Sequence, residues 1–274
     1  MSDSIKYYES VKGKEHVFLY SVAGRSSSTA FQRILNSSNK VWIWGEQNKL
    51  IDHTVFLINE MRKHNANERV KDSLSMLEVS FGQNKHLQFY PNAIGNLDSN
   101  IALISSSISN LLKPKAEAID RFGFKDIDPV SIKTIEYLKE IFPQSIFIFC
   151  FRDPMEQWPS VSKLKWFPYS GKLSLFLDEY IRISDIYLEY ADKNGINPFV
   201  ENIDLRNTEK IRKIIEYTRV AEIDYDLIDL TVHSANAYQL SNSDKKTILK
   251  SKAYKNYLKM KSLSYAFYQY PGRI

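Results

Sequence analysis

The sequence predicts an α/β protein, a single domain in three layers with helices on either side of a central, mostly parallel sheet. Short runs of β-branched and aromatic residues alternate along the chain with segments whose apolar residues recur at helical spacing. These apolar runs are continuous, which is typical of strands buried on both faces of a parallel sheet. The 274 residues are enough for one large domain, so we expect a single domain over residues 1–274.

Five short apolar runs predict the strands. They are His16–Val22, Val41–Trp44, Arg121–Phe124, Ser145–Phe151 and Pro198–Ile203. The first run ends at a Gly-containing turn, and apolar residues at helical spacing follow it closely. This order predicts a P-loop-like unit of strand, loop and helix near the N-terminus.

Helical patterns account for the rest of the chain. Residues 131–141 and 173–190 carry apolar residues three and four apart. Residues 51–115 show no strand pattern, and we expect a helical cap inserted there. Its apolar stripe is predicted to contain Ile101, Ile104, Ile108 and Leu111. Residues 206–274 predict a helical, Lys-rich C-terminal segment.

Composition limits the classes of function. The formal net charge is +5, from 37 basic and 32 acidic residues, and the basic residues are spread along the chain, so we expect no nucleic-acid partner. An anionic small ligand explains this charge equally well. The longest apolar run, Ile146–Phe151, is far shorter than the roughly 20 residues that span a bilayer. A single cysteine excludes an internal disulfide, and we expect no membrane span and a reducing, cytoplasmic location.

The segment Gly24-Arg-Ser-Ser-Ser-Thr29 lies between the first strand and its helix. Backbone N–H groups at a helix N-terminus form an anion site, and four hydroxyls and one guanidinium lie in this segment. The segment has one glycine and no lysine, so it departs from the GxxxxGK[ST] pattern of nucleotide triphosphatases. A Ser-rich turn that only caps the helix is the simpler alternative.

A second segment, Phe142–Ser160, contains the fourth predicted strand. This strand brings Arg152 to its carboxyl end, the edge at which ligands bind in open parallel sheets. Ser160 follows Arg152 by eight residues. An arginine at this position serves either as a phosphate ligand or as the partner of an acidic side chain.

Together these segments resemble the PAPS-dependent sulfotransferase family, where PAPS is 3′-phosphoadenosine 5′-phosphosulfate. GRSSSTAFQRIL is similar to the family's 5′-phosphosulfate loop in its Arg-containing form, as in carbohydrate, tyrosylprotein and small bacterial natural-product sulfotransferases. FPQSIFIFCFRDPMEQWPS is similar to its 3′-phosphate element. Trp44-Gly-Glu46 lies where such enzymes carry a catalytic glutamate, and Gly123-Phe-Lys-Asp126 resembles their strand-end Lys-Asp.

The resemblance implies a role for each matching residue. Glu46 is the general base that deprotonates the acceptor, and Arg25 and Lys125 stabilise charge on the sulfuryl group and on the departing phosphate. Arg152 and Ser160 bind the 3′-phosphate. The 5′-phosphosulfate lies against the loop residues Gly24, Arg25, Ser26, Ser27, Ser28 and Thr29. PAPS is then the donor, PAP the product, and no metal is required, which agrees with five histidines scattered without metal-ligand spacing.

Two other functions remain open from the sequence. A nucleotide kinase or NTPase shares the strand, phosphate loop and helix, and a non-catalytic relative would bind nucleotide without transferring a group. The Arg-Lys-Gly and GxxGxWK patterns of cytosolic steroid and phenol sulfotransferases are absent. For the acceptor we expect a hydroxyl or amine of a small molecule or a glycan. A natural product such as a saxitoxin-type alkaloid is included by resemblance, and the sequence does not determine the oligomeric state.

Overall fold

The computed structural model describes residues 9–47, 49–67, 97–115, 119, 121–127, 129, 131–165, 167–195, 198–220, 223–226 and 240–269. Internal contacts divide the chain into two compact units. The smaller falls within Met1–Ser10 and Leu50–Leu111, and the larger within Val11–Lys49 and Leu112–Ile274. The expectation of one domain over residues 1–274 stays a prediction.

A five-stranded sheet forms the centre of the larger unit. The strands are β1 (Val17–Ser21), β2 (Val41–Trp44), β3 (Arg121–Asp126), β4 (Ile146–Phe151) and β5 (Phe199–Glu201). Their order is β2-β3-β1-β4-β5, and every neighbouring pair is parallel. All five predicted strands are therefore confirmed, with end points that differ by at most two residues. Because the strands are parallel, their carboxyl ends meet at one edge of the sheet.

Helices connect and flank these strands, as the α/β prediction requires. Their bounds are α1 (Ser28–Asn36), α2 (Leu50–Ala66), α3 (Leu97–Leu112), α4 (Ile132–Ile141), α5 (Pro154–Val161), α6 (Leu173–Asn194), α7 (Thr208–Thr218), α8 (Asn242–Lys250) and α9 (Lys252–Gln269). A 3₁₀ helix, Asn202–Arg206, follows β5 directly. The predicted helices over 131–141 and 173–190 are confirmed, as is the helical character of the described part of 206–274.

One face of the sheet is aliphatic. Alternate strand residues such as Val17, Leu19 and Ile148 pack there against α1 and α7 in one buried cluster. Cys150 belongs to the same cluster, and burial raises the pKa of its thiol to about 12. The cysteine therefore stays a neutral thiol and packs as a small apolar side chain.

The opposite face of the sheet is aromatic. Phe18 and Tyr20 of β1 point to this side, and Phe149 of β4 stacks on Tyr187 of α6 with ring centroids 4.6 Å apart. Buried aromatic side chains contribute about 1.5 to 3 kcal/mol each through loss of hydrated surface, and rings packed edge to face add to this. Helices thus cover both faces, which confirms the three-layer prediction for the larger unit.

Gly123 explains why a glycine interrupts the apolar strand β3. A Cβ atom built on this residue would lie 1.6 Å from the carbonyl oxygen of Val17 in β1. The two backbones approach too closely there for any side chain, which is a recognised reason for glycine within a strand. This close approach helps to hold Lys125, two residues further along β3, level with Leu19 of β1.

The predicted helical insertion is present as α2 and α3 in the smaller unit, and residues 68–96 of the prediction lie outside the described residues. The predicted apolar stripe is wrong at Leu111, which is 59% exposed. Helix α3 buries Ile108, as predicted, together with Ser105, Ser106, Ser109 and Leu112. These residues also follow helical spacing, but the stripe includes serines, which a search for apolar periodicity alone does not detect.

His16 is a fully buried histidine beside the sheet. Its Nδ1 accepts the backbone N–H of Phe122 at 3.3 Å, so Nε2 carries the proton and donates to the carbonyl of Val11 at 3.0 Å. The ring also stacks on Phe122, with centroids 4.2 Å apart. Burial lowers the pKa of His16 to about 4 from its ordinary 6.5.

This depressed pKa predicts a loss of stability in mild acid. Below pH 6.5 the unfolded chain protonates His16, whereas the folded protein does so only near pH 4. The contribution to the free energy of unfolding is therefore complete above pH 6.5 and falls by about 3 kcal/mol as the pH drops to 4. Urea unfolding between pH 7 and 4.5 measures it. A His16→Gln variant should lose less stability over this range, and equal losses would contradict the assignment.

Candidate active site

The carboxyl edge of the sheet collects the charged residues that the sequence singled out. Glu46 lies two residues after β2, Lys125 lies near the end of β3, and Arg152 follows β4 directly. The loop from Val22 to Ser27 connects β1, the central strand, to α1. All of these residues belong to the larger unit.

The loop between β1 and α1 has an unusual backbone. Ala23, Arg25 and Ser27 adopt left-handed conformations, with φ of 53°, 70° and 69°. Residues other than glycine held in this region cost about 1 to 3 kcal/mol each. Left-handed residues that alternate with others turn neighbouring N–H groups toward one side and form a concave anion site. The loop thus contains the left-handed residues that such a site uses, and its anion-binding role stays a prediction.

Packing against an aromatic pair explains the glycine of this loop. A Cβ atom on Gly24 would lie 1.9 Å from Cζ of Phe167, whose ring stacks on Tyr169 at 5.2 Å. The Gly24 N–H also donates to the Tyr169 hydroxyl at 3.3 Å. Gly24 is thus required because a ring lies directly against its Cα.

The hydroxyls of the loop differ in their surroundings. Ser26 is buried and its Oγ bonds that of Ser21, while Ser28 is buried at the first position of α1. Ser27 accepts a hydrogen bond from Asn202 of the 3₁₀ helix, and Thr29 is exposed. The hydroxyls of Ser26 and Ser27, both predicted ligands, therefore bond the protein itself, and so does the Gly24 N–H.

Lys125 joins the loop to Glu46. Its Nζ donates to Glu46 Oε1 at 2.6 Å and to Thr29 Oγ1 at 3.4 Å. The Lys125 side chain is only 7% exposed, whereas that of Glu46 is 44% exposed. A buried ammonium thus lies between an accessible carboxylate and the first turn of α1. The structure brings together these three residues, which lie far apart in the chain.

Arg152 and Ser160 lie at the two ends of α5. Asp153 caps this helix by accepting the N–H of Met155 at 2.8 Å, and burial raises the pKa of Asp153. Arg152 Nε lies 3.4 Å from Glu156, whose carboxylate is 64% exposed. Ser160 Oγ accepts from Arg25 Nε at 3.2 Å. The predicted 3′-phosphate helix and the predicted 5′ loop are therefore in direct contact.

Sequence reasoning missed Gln157, Tyr169 and Asn202, all of which bond the loop. Gln157 lies within the second motif, but nothing in the motif shows that its side chain turns inward. The other two residues lie more than 140 positions from the loop. Trp158, between Arg152 and Ser160, is a buried packing residue whose ring lies 5.5 Å from that of Phe176.

Within the described ranges of the chain, metal-binding groups and membrane-spanning helices are both absent. Among the residues that the structure describes, no group of three His, Cys, Asp or Glu side chains is arranged to hold a metal ion. No helix in the same ranges is both long and apolar enough to cross a bilayer.

Comparison with known proteins agrees with the motifs. The sequence model of the sulfotransferase family matches residues 22–197, which is well over half of the chain. This protein therefore belongs to the sulfotransferase family. The matched region contains the loop after β1, Glu46, Lys125 and helix α5. No curated protein sequence matches the chain.

Two solved structures are similar to this one. The sulfotransferase domain from the Synechococcus PCC 7002 olefin synthase shares 14% identity at a TM-score of 0.47, over 88% of this chain and 95% of that one. Sulfotransferase STF9 from Mycobacterium avium shares 13% identity at a TM-score of 0.46, over 93% of this chain and 79% of that one.

The contact between Gly24 and Phe167 predicts a paired effect of substitutions. Gly24→Ala should destabilise the protein by about 1 to 3 kcal/mol, because the new methyl group displaces the ring. In a Phe167→Ala background the same change should cost less, since the ring that it meets is gone. Chemical unfolding of the four proteins in this double-mutant cycle gives the coupling. Strictly additive costs would show that the contact does not constrain the loop.

Proposed function

We propose that this protein transfers a sulfuryl group from PAPS to a hydroxyl or amine of a small-molecule or glycan acceptor. Family membership supports a transferase of sulfuryl groups. The observation that carries the proposal is the Lys125–Glu46 pair, which lies beside the left-handed loop and the first turn of α1. One cation thus lies between a carboxylate able to accept a proton and a loop able to hold an anion.

The residues around the loop fit the donor. PAPS supplies a sulfuryl group bonded to a phosphate, which leaves as PAP. Arg25, Lys125 and the N-terminus of α1 provide positive charge for the 5′ end. For the 3′-phosphate we assign Arg152 and Ser160. The Nε–H of Arg152 is buried and donates no hydrogen bond to any described residue, and the carboxylate of Glu156, 3.4 Å away, is largely exposed, so a phosphate can compete for this guanidinium.

Glu46 is the proposed general base. Its exposed carboxylate can reach an acceptor, and Lys125 holds it in place. When Glu46 takes the acceptor's proton, its negative charge is lost and its bond to Lys125 weakens. The ammonium is then free to stabilise charge that grows at the loop, which lies on its other side next to Thr29. Proton removal and stabilisation of the leaving group are thereby linked through one lysine.

A nucleotide kinase remains the competing hypothesis for the site. Its usual loop lysine is absent from residues 24–29, and an in-line transfer of a less charged group can rely on Arg and Lys for charge stabilisation. For the acceptor we include natural products such as saxitoxin-type alkaloids, as the family resemblance suggests. The second alternative, a binding relative without activity, has no use for a carboxylate beside the loop.

Replacing the proposed base should separate catalysis from binding. Glu46→Gln should lower kcat by about 10²- to 10⁴-fold because the amide cannot accept the acceptor's proton. Affinity for PAP should stay within about threefold, because the carboxylate is assigned no contact with the nucleotide. PAP release from PAPS is measured against a panel of alcohols, phenols and guanidinium-bearing amines. Glu60→Gln, an exposed carboxylate on α2, is the matched control. Full activity of Glu46→Gln would remove this residue from the mechanism.

The nucleotide assignment predicts which ligands stabilise the protein. PAP at 100 times its Kd should add about 2.7 kcal/mol to the free energy of unfolding. Arg152→Ala should weaken PAP binding about 10- to 100-fold and leave 5′-AMP binding unchanged, because 5′-AMP lacks the 3′-phosphate. Thermal-shift titrations with PAP, 5′-AMP, and ATP with Mg²⁺ test this, with Arg182→Ala as the control. Stabilisation by ATP with Mg²⁺ and none by PAP would favour the kinase instead.

A further inference from the structure

We propose that two amide side chains, Gln157 and Asn202, are positioning residues that hold the loop between β1 and α1 in its anion-binding conformation. We call this pair the loop clamp. The inference rests on the proposed nucleotide site and adds residues that neither the motifs nor the family match assigns. Neither amide is assigned a contact with the nucleotide or the acceptor, so both act through the loop backbone.

Gln157 donates hydrogen bonds to the first half of the loop. It is fully buried on α5, and its Nε2 donates to the carbonyl of Val22 at 2.9 Å and to that of Gly24 at 2.5 Å. These two carbonyls flank Ala23, the first left-handed residue. The Val22 carbonyl belongs to the peptide before Ala23, and the Gly24 carbonyl belongs to the peptide before Arg25. One amide group thus holds the peptides that precede two left-handed residues. Releasing either carbonyl would let Ala23 relax toward an ordinary conformation.

The other end of the Gln157 amide indicates that these bonds matter. Its Oε1 is buried, and no described residue donates a hydrogen bond to it. A buried acceptor without a donor is unfavourable, whereas a methionine of similar size would fill the same space without this cost. Packing alone therefore does not explain a glutamine here. Its hydrogen bonds to the carbonyls of Val22 and Gly24 explain the glutamine.

Asn202 donates a hydrogen bond to the second half of the loop. Its Nδ2 donates to Oγ of Ser27, the left-handed residue that precedes α1. Asn202 is itself held at the start of the 3₁₀ helix, where the Glu201 N–H donates to Asp204 at 2.9 Å. Tyr257 of α9 also donates to Glu201 at 2.7 Å. The segment that carries Asn202 is therefore held by contacts with the end of β5 and with α9.

The clamp should set the spacing between the two phosphate sites. Gln157 and Ser160 both lie on α5, and Arg152 precedes this helix. The same helix therefore positions the proposed 3′-phosphate ligands and the amide that bonds the 5′ loop. A loop released from α5 would keep its sequence but lose the left-handed backbone that the proposed 5′ site needs. We expect binding of the 5′ group to weaken while the 3′ group still binds.

Titration calorimetry with PAP and with adenosine 3′-phosphate tests this, because the second ligand occupies only the 3′ site. In Gln157→Met and in Asn202→Ala, affinity for PAP should fall at least tenfold, while affinity for adenosine 3′-phosphate should stay within twofold of wild type. The matched control is Gln32→Met. Gln32 also donates from its side chain to a backbone carbonyl, that of Ile43 at 2.9 Å, outside the loop. This control should leave the ratio of the two affinities unchanged.

The ratio of affinities distinguishes positioning from a general structural role. An unchanged ratio in both variants, or equal losses for both ligands, would overturn the clamp. If Gln157→Met fails to fold, as judged by near-ultraviolet circular dichroism, the ratio in Asn202→Ala decides. Failure of the wild-type protein to bind PAP would overturn the proposed function, and with it the proposed role of the clamp.

Discussion

Strand β1 pairs in parallel with β3 on one side and with β4 on the other, and the charged groups of the site take their positions from this pairing. The register sets Leu19 against Lys125 and Ser21 against Cys150. The loop after β1 therefore opens between a lysine from one neighbouring strand and the helix that follows the other. No local preference of the loop could bring these groups together.

The loop is strained, and its surroundings maintain it. Three left-handed residues in five positions are unfavourable for a chain without glycine at those places. The Ser21–Ser26 contact, the Tyr169 hydroxyl and the two amides each bond a different part of the loop. Each hydrogen bond contributes only a modest free energy, but together they hold the loop in one conformation. Such a loop can present its N–H groups without rearranging when an anion arrives, which is the condition for strong electrostatic stabilisation.

The rigidity of this arrangement comes from the two different faces of the sheet. Stacked and edge-on rings fill the side under α6, whereas branched aliphatic residues and Cys150 fill the side under α1 and α7. Both faces are close to fully buried, so small shifts of a strand would open cavities. The carboxyl ends of the strands are thus held in fixed positions. The polar residues lie at these ends, where Glu46 remains partly exposed and Lys125 does not.

The sequence by itself determined the strands, the α/β class, the loop after β1 and the arginine after β4, because hydrophobic periodicity and short motifs depend on neighbouring residues. It placed Glu46 and Lys125 in the site only through family resemblance. Tertiary structure alone decided that these two form a 2.6 Å ion pair and that Ser26 turns inward. It also decided which residues hold the loop, since Asn202 reaches Ser27 across 175 positions of chain. Contacts of this kind follow from strand order and register, which local sequence patterns do not encode.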